Sequence, residues 1–208
     1  MIVKVCGLKE MNNINQLNEI DIDLMGFIFY NKSSRFIDLE INTSHITKNK
    51  VGVFVNESLE NIKKKIKNYN LNYVQLHGDE KPKFSEKLMN YCKVIKAFRI
   101  SENFDFDSTN QYTDCCDLFL FDTFSKNFGG SGKKFDWKRL KGFNKKKFLL
   151  SGGIDINSVD EINNIKNEND FLHGIDINSK FEISPGLKDI KKVNMFIKKL
   201  KNEKFQCK

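Results

Sequence analysis

The sequence is poor in proline and arginine and has no long apolar run. It holds only two prolines in 208 residues, so no proline-rich linker marks a domain boundary, and we expect one domain over residues 1–208. No apolar stretch approaches the ~20 residues that a membrane span needs, and polar residues interrupt the N-terminal run too soon for a secretory signal. We therefore expect a cytoplasmic protein with no membrane partner.

Cysteine and histidine are too scattered to form a metal site. No Cys-x-x-Cys pair is present, which excludes a zinc ribbon and a thioredoxin-type motif. The three histidines lack metal-ligand spacing. We expect no metal, no disulfide framework and free thiols in a reducing compartment. The cysteines are Cys6, Cys92, Cys115, Cys116 and Cys207.

The basic residues do not form the pattern of a nucleic-acid-binding surface. The formal net charge is +8, yet only three of the 35 basic residues are arginines. The lysines are spread along the chain, and their densest runs lie on or beside predicted helices. A basic nucleic-acid-binding domain, which needs a clustered face with exposed aromatic residues, is therefore a remote alternative.

Short apolar runs of four to six residues recur along the whole chain and are rich in β-branched and aromatic residues. Such runs are typical of strands that are buried on both faces of a parallel sheet. The intervals between them leave room for one strand, one helix and two loops. The runs begin near Ile2, Leu24, Val51, Tyr73, Lys93, Leu118, Lys147 and His173.

Helical periodicity fills several of the intervals. It predicts helices after Ser58, at Pro82, after Ser158 and after Asp189, whereas residues 42–49 and 103–113 are weaker candidates. Eight such units in about 200 residues predict an α/β fold, a single-domain (β/α)₈ TIM barrel near the minimum size. The alternative is an open doubly wound sheet, which usually has fewer strands and a glycine-rich first turn.

Polar and reactive side chains follow nearly every predicted strand. In such barrels the active site lies at the carboxyl ends of the strands, so this convergence predicts an enzyme. Side chains two residues apart share a strand face, which places Cys6 with Lys4, and Asp122 with Leu118 and Leu120. An acid and a base candidate then face each other across the barrel mouth. The residues at these ends are Cys6, residues 30–35, Asn56, Gln75, His77, Lys96, Asp122, residues 151–153 and residues 176–179.

Lys4 admits two interpretations that are equally supported. As a buried cation it could lower the pKa of Cys6 and favour the thiolate. It could instead pair with a carboxylate in the lower part of the barrel.

Two segments, Ser-Gly-Gly-Ile at 151–154 and Asp-Ile-Asn-Ser at 176–179, suit a phosphate group. Residues 151–154 follow the seventh strand and residues 176–179 follow the eighth, where barrels commonly bind phosphate through backbone N–H groups. A third segment, Gly129–Gly132 followed by residues 135–137, is typical of a flexible active-site loop. Its alternative is a plain connection between a strand and a helix.

Nine ordered segments closely resemble the phosphoribosylanthranilate isomerase family of tryptophan biosynthesis. The resemblance implies a (β/α)₈ barrel that carries out an Amadori rearrangement of N-(5′-phosphoribosyl)anthranilate without cofactor or metal. The segments are KVCGL (4–8), GFIFY (26–30) with SSR (33–35), VGVFVN (51–56), VQLHGDE (74–80), FDT (121–123), GGSG (129–132) with FDW (135–137), LSGGI (150–154), GIDINS (174–179) and PGLKD (185–189).

The resemblance also implies the roles of individual residues. Cys6 matches the general base and Asp122 the general acid, and the thiol of Cys6 should then have a lowered pKa. The implied substrate-binding residues are Arg35 at the anthranilate end, His77 and Asp176. The implied phosphate-binding residues are Gly152, Gly153, Asn178 and Ser179. His77 is expected to support its neighbours rather than to act as a base.

The sequence departs from the family pattern at Ser34, after Gly153 and at Lys180, which bears on affinity rather than on reaction type. Other phosphate-binding barrel enzymes of tryptophan or histidine biosynthesis are the alternatives. Indole-glycerol-phosphate synthase would need an extra N-terminal segment, and the histidine-pathway isomerase uses paired aspartates where this first strand ends in Cys6. We expect a small phosphorylated substrate, no nucleic acid, and a monomer or homodimer.

Overall fold

The computed structural model describes residues 1–37, 41–124 and 134–202. Eight parallel strands close into a barrel in chain order, with the last strand paired back onto the first. This confirms the predicted (β/α)₈ barrel, and the open doubly wound sheet is wrong. The strands are β1 Ile2–Cys6, β2 Leu24–Ile28, β3 Asn49–Phe54, β4 Tyr73–Leu76, β5 Lys93–Ile100, β6 Leu118–Thr123, β7 Phe148–Leu150 and β8 Leu172–Ile177.

All four strongly periodic segments form helices that begin where the sequence predicts. The Ser58 side chain caps the second helix by accepting a hydrogen bond from the backbone N–H of Asn61, and Pro82 occupies the first turn of the third. A further helix, the first along the chain, lacks a strong sequence signal. The helices are α1 Met11–Asn18, α2 Leu59–Tyr69, α3 Pro82–Met89, α4 Val159–Glu168 and α5 Ile190–Asn202.

The weaker helix candidates are not α-helices. Residues 42–49 form turns and the start of β3, whereas Phe106–Tyr112 is a 3₁₀-helix after β5. A second 3₁₀-helix, Trp137–Leu140, follows β6. Aromatic rings fill the space beside these short segments: the Phe121 ring lies 5.7 Å from Phe106 and 4.9 Å from Phe143, centroid to centroid.

The barrel interior has an apolar lower layer and a polar upper layer. Side chains alternate along each strand, so every second residue points into the barrel. Above the apolar layer, the inward-pointing residues include Lys4, Cys6, Gln75, His77, Asp122 and Asp176. The polar side chains therefore collect at the carboxyl ends of the strands. The lower layer is formed by Leu24, Val51, Ile95, Ala97, Leu118, Leu120 and Leu149.

A short antiparallel hairpin follows β8. It consists of β9 Glu182–Ser184 and β10 Leu187–Lys188, and it is preceded by a 3₁₀-helix, Ser179–Phe181. Lys188 is clamped to α1, since its N–H donates to Asn13 Oδ1 (2.8 Å) and its carbonyl accepts from Asn13 Nδ2 (2.9 Å). The hairpin is thus fixed against the barrel beside the carboxyl ends of β8 and β1.

Some predictions fall on parts of the chain that the structure does not describe. The Gly129–Gly132 segment and Cys207 lie outside the described residues. The single domain over residues 1–208 stays a prediction, because the described residues end at 202. Across the described ranges, no helix combines the length and the apolar character that crossing a membrane requires.

Candidate active site

The carboxyl ends of the strands open into one cleft with about 800 Å³ of empty space, including its mouth. Every residue to which the family resemblance assigned a role lines this cleft. The thiol and the carboxyl group that were expected to face each other thus share a cavity. The predicted residues found here are Cys6, Arg35, His77, Asp122, Gly152, Gly153, Asp176, Asn178 and Ser179, and they are joined by Tyr30, Gln75, Ser151 and Lys180.

A glycine in β2 leaves the space that Cys6 occupies. Gly26 pairs with Cys6 in the β1–β2 register, and a Cβ atom on Gly26 would lie 2.8 Å from the Cys6 Sγ. Real Cβ atoms do not approach sulfur so closely, so the thiol depends on a side-chain-free neighbour. The Gly26–Tyr30 motif therefore shapes the wall beside the predicted base.

Lys4 pairs with a carboxylate and also lies beside Cys6, so each of the two interpretations that the sequence left open is correct only in part. Its Nζ lies 2.9 Å from Asp176 Oδ2 in a fully buried ion pair, and it also interacts with the Cys6 side chain. The carboxylate is in the upper layer rather than low in the barrel, since Lys4 and Asp176 are register partners where β1 meets β8. Asp176 Oδ1 is buried and has no hydrogen-bond partner among the described residues.

The expectation of a lowered pKa for Cys6 is wrong. Burial raises the pKa of the Cys6 thiol above its ordinary value, and the nearby Lys4 opposes this effect without overcoming it. Burial also raises the pKa of Asp176, against the pull of Lys4. Burial lowers the pKa of Lys4, but the Asp176 carboxylate and Cys6 together raise it by more than burial lowers it. The net shift of the Lys4 pKa is therefore upward. The buried cation thus stays protonated beside a thiol.

Asp122 is oriented by two neighbours at the end of β6. Its Oδ1 accepts a hydrogen bond from the N–H of Thr123 at 2.8 Å. Its Oδ2 lies 3.4 Å from His77 Nε2, and His77 Nδ1 lies 2.8 Å from Gln75 Nε2. His77 Nε2 has no hydrogen-bond partner among the described residues, so the imidazole lies beside the predicted acid at ion-pair distance without a hydrogen bond to it.

The loop after β7 approaches Asp122 closely because of Gly152. This residue has φ +84°, a left-handed conformation that favours glycine. A Cβ atom there would lie 2.3 Å from Thr123 Oγ1 and 3.0 Å from Asp122 Oδ1. The neighbouring Gly153 has φ +71°. A Ser-Gly-Gly sequence is thus required for this loop to lie against the end of β6, with α4 beginning six residues beyond Gly153.

Arg35 is held in the cleft by a residue that sequence reasoning missed. Its Nε lies 2.8 and 3.1 Å from the two Glu182 carboxylate oxygens, and its Nη2 lies 2.6 Å from Glu182 Oε2. Glu182 also pairs with the buried Lys188 at 2.7 Å. The Pro185-Gly186 pair was the sequence signal that could have identified Glu182. It predicts a hairpin turn, and such a turn places Glu182 and Lys188 on adjacent strands.

Two of the polar strand-end residues, Asn56 and Lys96, do not line the cleft and instead support its wall. Lys96 Nζ lies 2.9 Å from Glu80 Oε2 in a buried ion pair and donates to the Gly78 carbonyl at 2.8 Å. Glu80 Oε1 accepts hydrogen bonds from the N–H groups of Asn56 and Gly78. This network fixes the loop that follows His77. It also gives Glu80, the last residue of the VQLHGDE segment, a structural role.

These features define the class of protein: a (β/α)₈-barrel enzyme with acid–base groups and two glycine- or serine-containing loops at the carboxyl ends of its strands. Residues 3–199 match the family model described as N-(5′-phosphoribosyl)anthranilate (PRA) isomerase. The chain belongs to this family and is an isomerase. A curated relative, the N-(5′-phosphoribosyl)anthranilate isomerase of Parabacteroides distasonis, is 42% identical over 96% of this chain and 93% of its own length.

Solved structures agree with the family assignment. One is described as mutually generated monomers of the dimeric enzyme from Thermotoga maritima; it is 31% identical, has a TM-score of 0.81, and the match covers 97% of this chain and 100% of that one. Another is described as a phosphoribosyl anthranilate isomerase in complex with reduced 1-(o-carboxyphenylamino)-1-deoxyribulose 5-phosphate. It is 30% identical, has a TM-score of 0.79, and the match has the same coverage of both chains.

Proposed function

We propose that this chain carries out the reaction for which its family is named, with the cleft residues in specific roles. The reaction is the Amadori rearrangement of N-(5′-phosphoribosyl)anthranilate to 1-(2-carboxyphenylamino)-1-deoxyribulose 5-phosphate, the third step of tryptophan synthesis from chorismate. The observation that carries the proposal is that all nine predicted site residues, drawn from six parts of the chain, line one cleft.

Asp122 is the proposed general acid and Cys6 the proposed general base. Asp122 donates a proton to the ribose ring oxygen, the C1′–O bond breaks, and the nitrogen lone pair forms a Schiff base at C1′. Cys6 then removes the C2′ proton, and the C–H electron pair forms the enamine. Loss of the 2′-hydroxyl proton and protonation of C1′ give the ketose. C1′ is reduced while C2′ is oxidised, so the step needs no external redox cofactor.

The remaining residues are proposed to hold the two charged ends of the substrate and its sugar. Arg35 would bind the anthranilate carboxylate, because a guanidinium suits a planar anion. Gly152, Gly153, Asn178 and Ser179 would bind the phosphate from the loops after β7 and β8.

Asp176 and His77 are proposed to contact the sugar. Asp176 has the buried and unpartnered Oδ1, which can accept a hydrogen bond from a ribose hydroxyl. His77 lines the cleft and contacts Asp122, so it would bind substrate while it orients the acid. Lys180 lines the cleft beside Ser179, and its charge is free to assist the phosphate site from the exposed side.

Location and assembly are also proposals. We infer a cytoplasmic enzyme, supported by the free thiols of Cys6, Cys92, Cys115 and Cys116. We infer a monomer or homodimer, supported by the description of the Thermotoga maritima relative as dimeric. Light scattering on the purified chain tests the assembly.

The test of function is a fluorescence assay that follows loss of phosphoribosylanthranilate with purified protein. We expect turnover, and competitive inhibition by the reduced ring-opened product analogue. The same assay with the aminoaldose substrate of the histidine-pathway isomerase tests the alternative barrel enzymes. Turnover of that substrate alone, or no turnover of phosphoribosylanthranilate, would overturn the proposal.

A further inference from the structure

The hairpin after β8 places two buried charged residues beside the cleft. Glu182 and Lys188 occupy adjacent strands, β9 and β10, and their side chains are 4% and 0% exposed. Lys188 Nζ lies 2.7 Å from both Glu182 Oε1 and Asn178 Oδ1. The Gly186 N–H in the turn also donates to Glu182 Oε1, at 3.1 Å. Lys188 on β10 and Gly186 in the turn thus both contact the Glu182 carboxylate.

Glu182 determines the direction in which Arg35 presents its guanidinium. Its two oxygens bind Nε and Nη2 on one edge of the group, and this fork geometry fixes the guanidinium plane. The edge that carries Nη1 is not used by these bonds. Arg35 lines the cleft with a side chain that is 12% exposed, so its second edge is the part available to a ligand.

The charges of the cluster are matched to an anion. Burial lowers the pKa of Lys188, and its contact with Glu182 opposes this effect. With Lys188 protonated, as its 2.7 Å contact with the carboxylate favours, Arg35 and Lys188 are two cations against the single Glu182 carboxylate, which leaves one excess positive charge. Although burial acts against it, the pKa of Glu182 is lowered by its bonds to Arg35, by Lys188 and by the Gly186 N–H, so the carboxylate stays ionised at neutral pH. One negative ligand group at Arg35 would complete the balance.

We propose that Glu182 is the positioning residue that holds Arg35 for the carboxylate on the aromatic ring of the substrate, and that Lys188 links this arrangement to the loop after β8. The proposal rests on the proposed function, since it needs an aromatic carboxylate as ligand. Through Lys188 and Asn178 the same network reaches the predicted phosphate loop, so one hairpin aligns the sites for both ends of the substrate.

The electrostatic effect of neutralising Glu182 runs opposite to the positioning effect. Glu182→Gln increases the positive charge near Arg35, which by itself would strengthen binding of an anion. It also leaves Arg35 next to the unpaired cation of Lys188, which repels it from its present direction. If Glu182→Gln weakens binding only of a ligand that carries the ring carboxylate, the loss therefore shows that Arg35 has lost its orientation.

The test measures binding of two ligands by calorimetry. One is reduced 1-(o-carboxyphenylamino)-1-deoxyribulose 5-phosphate, and the other is the same compound without the ring carboxyl group. We expect Glu182→Gln to weaken the first ligand about tenfold and the second less than about twofold, in line with loss of one well-oriented charged contact. Glu182→Asp, which keeps the charge, should recover part of the loss. Glu60→Gln, an exposed change on α2 with the same loss of charge, should alter neither.

A double-mutant cycle gives the decisive comparison. If Glu182 acts through Arg35, Glu182→Gln should weaken the first ligand no further once Arg35→Met is present. If the wild-type protein binds both ligands, then equal weakening of both by Glu182→Gln, or no weakening of either, would overturn the inference. Failure of the wild-type protein to bind either ligand would overturn the proposed function and the inference with it. Thermal unfolding of each variant verifies that it is folded.

Discussion

At the scale of single residues, Cys6 and Asp122 sit in different electrostatic surroundings within one cleft. Cys6 is a buried residue of the cleft wall and lies beside the buried Lys4–Asp176 ion pair. Asp122 is partly exposed, accepts from Thr123 and contacts His77. The buried group suits abstraction of a carbon-bound proton in a dry site, and the more open group suits protonation of a departing oxygen.

Removing either group should reduce turnover strongly without unfolding the protein. We expect Cys6→Ala and Asp122→Asn each to lower kcat by at least ~10²-fold, the scale of one general acid or base step. Steady-state kinetics with phosphoribosylanthranilate measures the loss, and circular dichroism verifies the fold. Turnover near that of the wild-type enzyme in either variant would remove that residue from the mechanism.

The raised pKa of Cys6 predicts a specific pH profile. If the Cys6 thiolate is the base, as proposed, and burial favours the thiol, kcat/KM should rise by about tenfold per pH unit on the acidic side of its optimum. Lys4→Met removes the cation that opposes the burial effect, so this limb should move to higher pH. Initial rates across a pH series measure both profiles.

The matching control for Lys4 is the double variant Lys4→Met with Asp176→Asn. It removes the ion pair without leaving a buried carboxylate unpaired, which would otherwise cost stability. A pH profile identical to that of the wild-type enzyme in both variants would contradict a role of Lys4 in the ionisation of Cys6. Thermal unfolding separates the loss of stability from the shift in the profile.

At the scale of elements, the loop after β7 depends on close contact with the end of β6. Gly152→Ala would place a Cβ 2.3 Å from Thr123 Oγ1 at a φ of +84°. The loop must then move away from Asp122 and from the predicted phosphate position. We expect KM for phosphoribosylanthranilate to rise about tenfold or more, as for loss of a charged hydrogen-bonding site, and unfolding stability to fall by about 1–3 kcal/mol.

Gly142→Ala is the matched control for this change. A Cβ on Gly142 has no atom within 4 Å, so this variant should keep the KM and stability of the wild-type enzyme. Steady-state kinetics and denaturant unfolding on both variants make the comparison. An unchanged KM in Gly152→Ala would show that the loop position does not determine substrate binding.

Elements with strong local signals were predicted from the sequence, and those held by tertiary contacts were not. Helices α2 and α3 have a capping serine and an N-terminal proline. By contrast α1, rich in asparagine, has weak helix propensity and is stabilised by burying Ile14 and Leu17. After β5 the weakly periodic segment forms a 3₁₀-helix, Phe106–Tyr112, and its Phe106 ring packs 5.7 Å from that of Phe121.

At the scale of the whole molecule, α5 covers the place where the barrel closes. Phe196 is fully buried and its ring lies 4.9 Å from that of Phe181. We expect Phe196→Ala to lower the free energy of unfolding by about 3–5 kcal/mol. Met195 precedes it on the same helix and is 51% exposed, so Met195→Ala should change stability by no more than about 0.5 kcal/mol. Chemical denaturation measures both, and equal losses would contradict this packing.

The residues that line the cleft could be predicted from the sequence because all parallel strands of a barrel end at the same face. Parallel strands all end at one face, and alternation along each strand selects the side chains that point inward. Cys6, His77, Asp122 and Asp176 therefore follow from strand ends and parity once eight strands are recognised. Lys96 and Asn56 also follow strands, but they serve the Glu80 network, which the sequence pattern does not distinguish.

By itself the sequence determined the eight-unit barrel, the family and the set of residues that share the cleft, because periodicity, parity and ordered motifs are local properties of the chain. Only the tertiary structure decided the direction of the Cys6 pKa shift, the partner of Lys4 and the contact of Glu182 with Arg35. Each of these depends on burial and on pairing between residues far apart in sequence: Lys4 with Asp176, and Arg35 with Glu182. Coulomb energy and desolvation follow distance in space, which no local pattern encodes.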